Sequence, residues 1–304
     1  MFFQRETLNY VFNGGLLDIP FPLHATHISV DESVTVIPGY AFSHVEIFEL
    51  ICHDGVKVIE NDAFYYCDVL RKAVIPGVEV VKESAFSQCE MLEYVECEKL
   101  EIIEAQAFTW CRSLLSINLS SIREIKEHAF SVCSGMKEAR FGGNLETMSS
   151  LAFKGCYYLE RITIPLKNGF ITNDNVFQGC EYLRRVDLIE GAAHETIAAL
   201  HLKEWRNEMI GEIESINQIL PEVDPGGDDF DNVGETASTI REWIARVLRK
   251  IIDYKSQHRH LLREVTPTLM QLLPNDVVMN NVLPFLELPS HTFDGEDQAE
   301  LVVE

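Results

Sequence analysis

Apolar residues recur along this chain with a long, nearly constant period. Between about Val34 and Leu188 an Ala-Phe pair returns at Ala41-Phe42, Ala63-Phe64, Ala85-Phe86, Ala107-Phe108, Ala129-Phe130 and Ala152-Phe153, ending in Val176-Phe177. The phenylalanines are 22, 22, 22, 22, 23 and 24 residues apart. Other positions repeat with them. Three residues later comes Val45, then Cys67, Cys89, Cys111, Cys133, Cys156 and Cys180; six later comes Phe48, then Leu70, Leu92, Leu114, Met136, Leu159 and Leu183. Five before the ring stand Ile37, Ile59, Val81, Ile103, Ile125 and Met148, and eight before it Val34, Val56, Val78, Leu100, Ile122 and Leu145. A fixed period of this size predicts a solenoid, whose units bury their apolar faces only by stacking on their neighbours.

Nine and eleven residues after the ring, apolar pairs such as Ala73/Ile75, Val95/Cys97, Ile117/Leu119 and Ile162/Ile164 alternate with polar ones. Period two predicts a short strand with one face buried. Equivalent strands of successive turns would then pair side by side at roughly 4.8 Å in one parallel sheet along a flank.

The phrase Ile59-Glu60-Asn61-Asp62-Ala63-Phe64-Tyr65-Tyr66-Cys67-Asp68-Val69-Leu70, with Pro76 and Pro165 in closing positions, resembles the BspA-type leucine-rich repeat. The resemblance covers about half the chain and implies a curved ligand-binding scaffold without catalytic apparatus of its own. The seventh unit departs from it, because Gly169 to Asn175 is lengthened and polar. The fold class expected is α/β: a leucine-rich-repeat solenoid of about seven turns over 34–190, followed by an antiparallel α-helical hairpin.

The flanks divide by pattern. Residues 1–33, rich in Phe2, Phe3, Tyr10, Val11, Phe12, Leu16, Leu17 and Ile19, are expected to cap the first turn, with Ile28/Val30 as a first strand. After Leu188 the period changes to three and four. Leu202, Trp205, Met209, Ile213, Ile216 and Leu220 form one stripe of a helix that Pro221 stops. Residues 221–236 are acidic and glycine-rich and read as a loop. Ile240, Ile244, Val247, Ile251, Tyr254, His258, Leu261 and Val265 then form a heptad seam, as in a coiled coil, on a helix over Thr239–Val265. The seam over Ile240–Val265 allows self-association or packing along the solenoid end. Pro267 ends or kinks that helix; 267–290 holds a further short helix, and 291–304 an acidic tail.

Charge narrows the partners. Forty-eight acids against twenty-five bases give a formal charge of −23, which repels polyphosphate and anionic lipid, so nucleic acid and membrane are disfavoured as ligands. The helix over 239–265 is locally basic, and complementing the chain's own acidic surface is its expected role. Met1 to Glu6 lacks a basic region leading into an apolar one, and no long apolar run occurs, so neither a signal peptide nor a span is expected. Six of the eight cysteines hold one ladder position. They read as reduced packing thiols, and a cytoplasmic or nuclear location is expected on the same ground.

Candidate chemistry is sparse. His24, His27, His44, Cys52 and His53 match no standard zinc spacing and read as surface or capping residues. Asp229-x-Asp231-x-Val233-Gly234 fails as a calcium loop, since its fifth position is Val233 and its twelfth Ile240. No catalytic or cofactor motif stands out, and no cofactor is expected. The strand positions between buried ones point outward: Leu50, Lys72, Tyr94, Ser116, Glu138, Arg161 and Arg185 in one column, Cys52, Val74, Glu96, Asn118, Arg140, Thr163 and Asp187 in the other. Lys72, Tyr94, Glu96, Glu138, Arg140, Arg161, Arg185 and Asp187 are the candidate partner-binding residues; a merely solvated sheet face would satisfy the same pattern. The function expected is a non-enzymatic protein-interaction scaffold. The alternative is a ubiquitin-ligase substrate adaptor, because Leu273-Pro274 through Leu286 resembles the opening of an F-box.

Overall fold

A computed structural model describes residues 8–14, 25–189, 203–220 and 235–282. The phenylalanine column is a stack of rings along the middle of a right-through core. Phe42, Phe64, Phe86, Phe108, Phe130 and Phe153 are completely buried, with neighbouring centroids 5.1–5.4 Å apart and nearly parallel planes. Phe177 closes the stack at 5.8 Å from Phe153, and Phe12 caps its other end edge-on, 5.1 Å from Phe42.

Three ladders hold the turns together. The first is the expected parallel sheet, which falls in two parts. Six strands pair in the order β1 (Leu8–Phe12), β2 (Ala25–Val30), β4 (Glu49–Ile51), β6 (Lys72–Val74), β8 (Tyr94–Glu96) and β10 (Ser116–Ile117). Three more follow as β12 (Glu138–Arg140), β14 (Arg161–Ile164) and β15 (Arg185–Leu188). Among the described residues the bridge Leu119↔Phe141 joins the two parts, and Ile117, expected in the core, is half-buried at the break.

The second ladder was not expected. Two-residue strands β3 (Val36–Ile37), β5 (Val58–Ile59), β7 (Val80–Val81), β9 (Ile102–Ile103), β11 (Glu124–Ile125) and β13 (Thr147–Met148) form another parallel sheet. The apolar column five before each ring points inward from it. Strands of two residues are too short to show an alternation, so the column alone did not reveal a sheet.

The third ladder runs through the Ala-Phe turns. The residues two before and two after the ring take positive φ: Asp62 and Tyr66, Ser84 and Gln88, Gln106 and Trp110 in successive turns. That alternation points the amides of Asp62, Phe64 and Tyr66 at the carbonyls of Glu83, Ala85 and Ser87 in the next turn. The pattern repeats at each of the first five junctions, and Gly155 and Gly179 take the later position in the last two turns.

The first turn carries a correction. Strand pairing sets Leu50 opposite Ala73 and Ile51 opposite Val74, so this turn is one residue short. Ile47, not Phe48, fills the core position, and Leu50 and Cys52 are buried while Glu49 and Ile51 face outward.

At the far end, α1 (Lys203–Ile219) and α2 (Glu235–Leu272) pack on each other and on the last turns. Met209, Ile216, Ile240, Trp243, Ile244, Val247, Ile251 and Tyr254 belong to the same buried cluster as the solenoid core. The Val186 amide donates to Asn217 Oδ1 at 3.0 Å, tying β15 to α1. Three basic side chains of this helix complement the chain's own acids: Arg241 pairs with Asp174, Arg246 with Glu212, and Lys250 with Glu208 and Glu212. Those two carboxylates hold the Lys250 ammonium up to about 12. The helix is longer than the sequence predicts. It runs through Pro267 to Leu272, with the Thr266 hydroxyl bonded to the Leu262 carbonyl just before the proline. At 1.5 Å per residue its 38 residues span about 57 Å, so its last third outreaches α1. The acidic loop and the acidic tail lie outside the described residues, as do His24 and the apolar residues Phe2, Phe3, Leu16, Leu17 and Ile19. A short helical segment, Asn275–Val277 then Val278–Val282, follows α2.

Candidate functional site

The outward face of the larger sheet is built by pairing in register. His27, Glu49, Lys72, Tyr94 and Ser116 form one outward column, and Ser29, Ile51, Val74 and Glu96 the other. Across the break the columns continue as Glu138, Arg161 and Arg185, and as Arg140, Thr163 and Asp187. The eight candidate residues therefore share one face.

The two parts of that face differ in character. In the C-terminal part the charges satisfy one another. Arg140 donates to Glu138 at 2.6 and 2.9 Å, and Arg161 and Arg185 both reach the Asp187 carboxylate. Exposed pairs of this kind contribute little stability, about 0–1 kcal/mol each, and three arginines against two carboxylates leave this part of the face with one net positive charge. In the N-terminal part apolar side chains stand in the open: Val11 is 50% exposed, Ile51 42% and Tyr94 44%. Lys72 is held by Glu96 at 2.7 Å, a hydrogen bond that raises its pKa.

A groove of about 650 Å³ opens where the sheet breaks, lined among others by Val74, Pro76, Glu96, Ser116, Ile117 and Asn118. Its apolar walls carry two carboxylates, Glu96 and Glu98, on the rim. Ile51, Val11 and the groove were missed from the sequence. The offset from the phenylalanine puts Leu50 and Cys52 outward where Glu49 and Ile51 belong, and the sequence marks Val11 only as one of the apolar residues of the cap.

The cysteine ladder has a role beyond filling space. Each thiol donates to the carbonyl of the previous turn's phenylalanine: Cys67 to Phe42 at 3.0 Å, Cys89 to Phe64 at 3.2 Å, Cys111 to Phe86 at 3.2 Å, and so on to Cys180. All eight cysteines are buried and unbridged. Burial pushes Cys52 and Cys67 up to about 12 and Cys97 to about 11, so they stay protonated thiols and are poor nucleophiles.

Of the histidines, His27 lies on the outward sheet face beside Glu49 at 3.7 Å. His53 accepts the Gly55 amide at Nδ1, which leaves Nε2 to donate to the Asp31 carbonyl. His44 sits on the Ala-Phe flank with Tyr65 and Tyr66. Among the described residues, no three His, Cys, Asp or Glu side chains form a group that could hold a metal ion, and no helix is long and apolar enough to cross a membrane.

Comparison with known proteins agrees with this architecture. The family model of the BspA type leucine rich repeat region matches in six copies over residues 23–121 and 57–184. No curated protein matches the chain. Among solved structures, a leucine-rich repeat protein of T. pallidum is 25% identical, with 46% of this chain and 69% of that one covered and a TM-score of 0.43. A leucine-rich cell surface protein of Faecalibacterium prausnitzii is 21% identical over 56% of this chain and 61% of that one, TM-score 0.37. A leucine-rich repeat protein of Bacteroides ovatus is 20% identical over 56% and 53%, TM-score 0.41.

Proposed function

We propose, since the chain belongs to the BspA-type leucine-rich repeat family, that it is a non-enzymatic scaffold binding a protein partner on the outward face of its larger sheet. Leucine-rich repeat proteins are generally protein-interaction scaffolds. The observation that carries the reading is the N-terminal part of the face. There Ile51 on β4 and Tyr94 on β8 are exposed to either side of β6, beside the groove at Val74 and Ile117. A partner would find the backbone already ordered, so little conformational entropy is lost on binding. An exposed tyrosine next to an apolar recess is the composition of an interface centre. Lys72 and Glu96 border this centre, while Glu138, Arg140, Arg161, Arg185 and Asp187 extend it as a polar rim.

The protonated, buried state of the thiols supports a role without nucleophilic chemistry, and it suits a reducing compartment such as the cytoplasm. The helices serve as the second contact. Within the heptad seam, Ile240 to Tyr254 is engaged inside the chain, so a homo-oligomer would use the exposed Leu261 and Val265. No observation favours the F-box-like alternative over the scaffold.

The test compares proteins captured by the full chain and by its Ile51→Ser/Tyr94→Ala variant at equal melting temperature. A partner held by the first and lost from the second is expected. The same captured set from both, or loss only from an Arg140→Ala/Arg161→Ala variant, overturns the reading.

A further inference from the structure

The Ala-Phe flank, on a different side from the proposed sheet-face site, carries six of the nine tyrosines and Trp110. Its side chains meet across turns. The rings of His44 and Tyr66 lie 5.1 Å apart and those of His44 and Tyr65 5.5 Å, while Gln88 Nε2 donates to the Tyr65 hydroxyl at 2.9 Å. Tyr66 and Trp110 occupy the same station in their turns, two residues after the phenylalanine, at φ 59° and 65°. A non-glycine residue there costs about 1–2 kcal/mol, and the last two turns use Gly155 and Gly179 instead. The second and fourth turns keep large aromatic side chains at this strained station and leave them exposed, Tyr66 by 44% and Trp110 by 39%.

The repeat shows what such a ring can hold. Two residues after Trp110, Arg112 lays its guanidinium over the indole at 4.5 Å, with the Glu90 carboxylate of the preceding turn 3.8 Å from it. An aromatic face and a carboxylate thus share one cation. Two turns earlier the station of Trp110 is Tyr66, and the station of Arg112 is Asp68. Here a carboxylate stands at the station where the later turn supplies the cation, with exposed Glu46 in the preceding turn. Neither Asp68 nor Glu46 makes an ion pair among the described residues.

We propose that Tyr66, with His44 and Asp68, binds an arginine side chain presented by a basic partner segment, in the manner in which Trp110 and Glu90 hold Arg112. The guanidinium lies flat on the phenol ring and donates to the Asp68 carboxylate, a geometry that arginine meets better than lysine. The chain's charge of −23 draws such a segment in from solution.

The probe is a fluorescein-labelled peptide of three arginines spaced by glycines, titrated by anisotropy into the full chain at low and at moderate salt. Its citrulline counterpart keeps the shape and removes the charge. Tyr66→Asn is the central variant, because asparagine accepts positive φ and keeps the charge unchanged. Asp68→Asn is set against Glu214→Gln, which deletes one exposed charge on α1. Expected are binding of the arginine peptide, at least fivefold weaker binding by Tyr66→Asn and by Asp68→Asn, and no change beyond twofold in Glu214→Gln. Equal affinity in the wild type and Tyr66→Asn, equal losses in Asp68→Asn and Glu214→Gln, or equal binding of the citrulline peptide would overturn the proposal. Melting curves of each variant establish that the turn is intact; should Tyr66→Asn melt early, Tyr66→Leu supplies the same comparison.

Discussion

Phe108 is the most direct probe of how the turns cohere. It is wholly buried, 5.3 Å from Phe86 on one side and 5.4 Å from Phe130 on the other, with both ring planes within a few degrees of parallel. Replacing it by alanine removes a phenyl group whose transfer from water is worth about 2–3 kcal/mol. It also removes two ring pairs, each worth about 0.5–1.5 kcal/mol beyond burial. The sum, about 4 kcal/mol, falls within the ~3–5 kcal/mol found when buried phenylalanines become alanine. Phe177, with a partner on one side only at 5.8 Å and slight exposure, should lose roughly 1–2 kcal/mol less by the same reasoning.

Because each turn touches only its neighbours, the damage should be local as well as global. The assay is urea unfolding of both variants combined with amide exchange across turns three to five. Faster exchange there, with turn one little affected, is the expected profile. A cost below about 1 kcal/mol for Phe108→Ala, or a greater cost for Phe177→Ala, would refute the continuous ring stack as the source of stability.

Two further outcomes follow from hydrogen bonding and ionisation. The thiols are protonated in both folded and unfolded chains below about pH 9, so their burial is harmless there. Above it the unfolded chain ionises while the folded one, with pKa values raised to about 11 or about 12, does not. Stability should then fall by about 1.4 kcal/mol per pH unit for each such thiol until the folded pKa is passed. Urea midpoints under reducing conditions from about pH 8 to about pH 10 measure this, and a flat profile would contradict it. Asn217→Ala deletes the acceptor for the Val186 amide and should cost about 1–2 kcal/mol; an unchanged exchange rate at Val186 would show that the helices do not anchor β15.

Much of this fold is legible in the residues, and the failures have physical causes. The phenylalanine and cysteine columns could be read because their period far exceeds any local one, and each falls where predicted. Turn one misled because its sequence offers two apolar alternations. The offset that holds in later turns puts Phe48 inward and Leu50 and Cys52 outward, and only pairing with Lys72–Val74 shows that Ile47, Leu50 and Cys52 are the buried set. The cysteines appear in sequence as small hydrophobes, since nothing local reveals that a carbonyl of the previous turn awaits each thiol. The aromatic flank has no periodic signature at all: His44, Tyr66, Gln88, Trp110 and Val132 share a station and no chemistry. Of the candidate face, the columns from Lys72 onward were legible, whereas Ile51, Val11 and the groove were not, because they depend on a slipped register and on the break beside Ile117.

The third ladder has an electrical consequence. The amides of its alternating residues all point toward the following turn and their acceptor carbonyls toward the preceding one. In an ordinary sheet the peptide dipoles largely cancel, but along this flank they add head to tail, as they do in a helix. The column therefore carries a partial positive pole near Phe177 and a partial negative pole near Phe42. A cation approaching the first turns meets backbone oxygen as well as carboxylate, and an approaching anion is turned toward the opposite end.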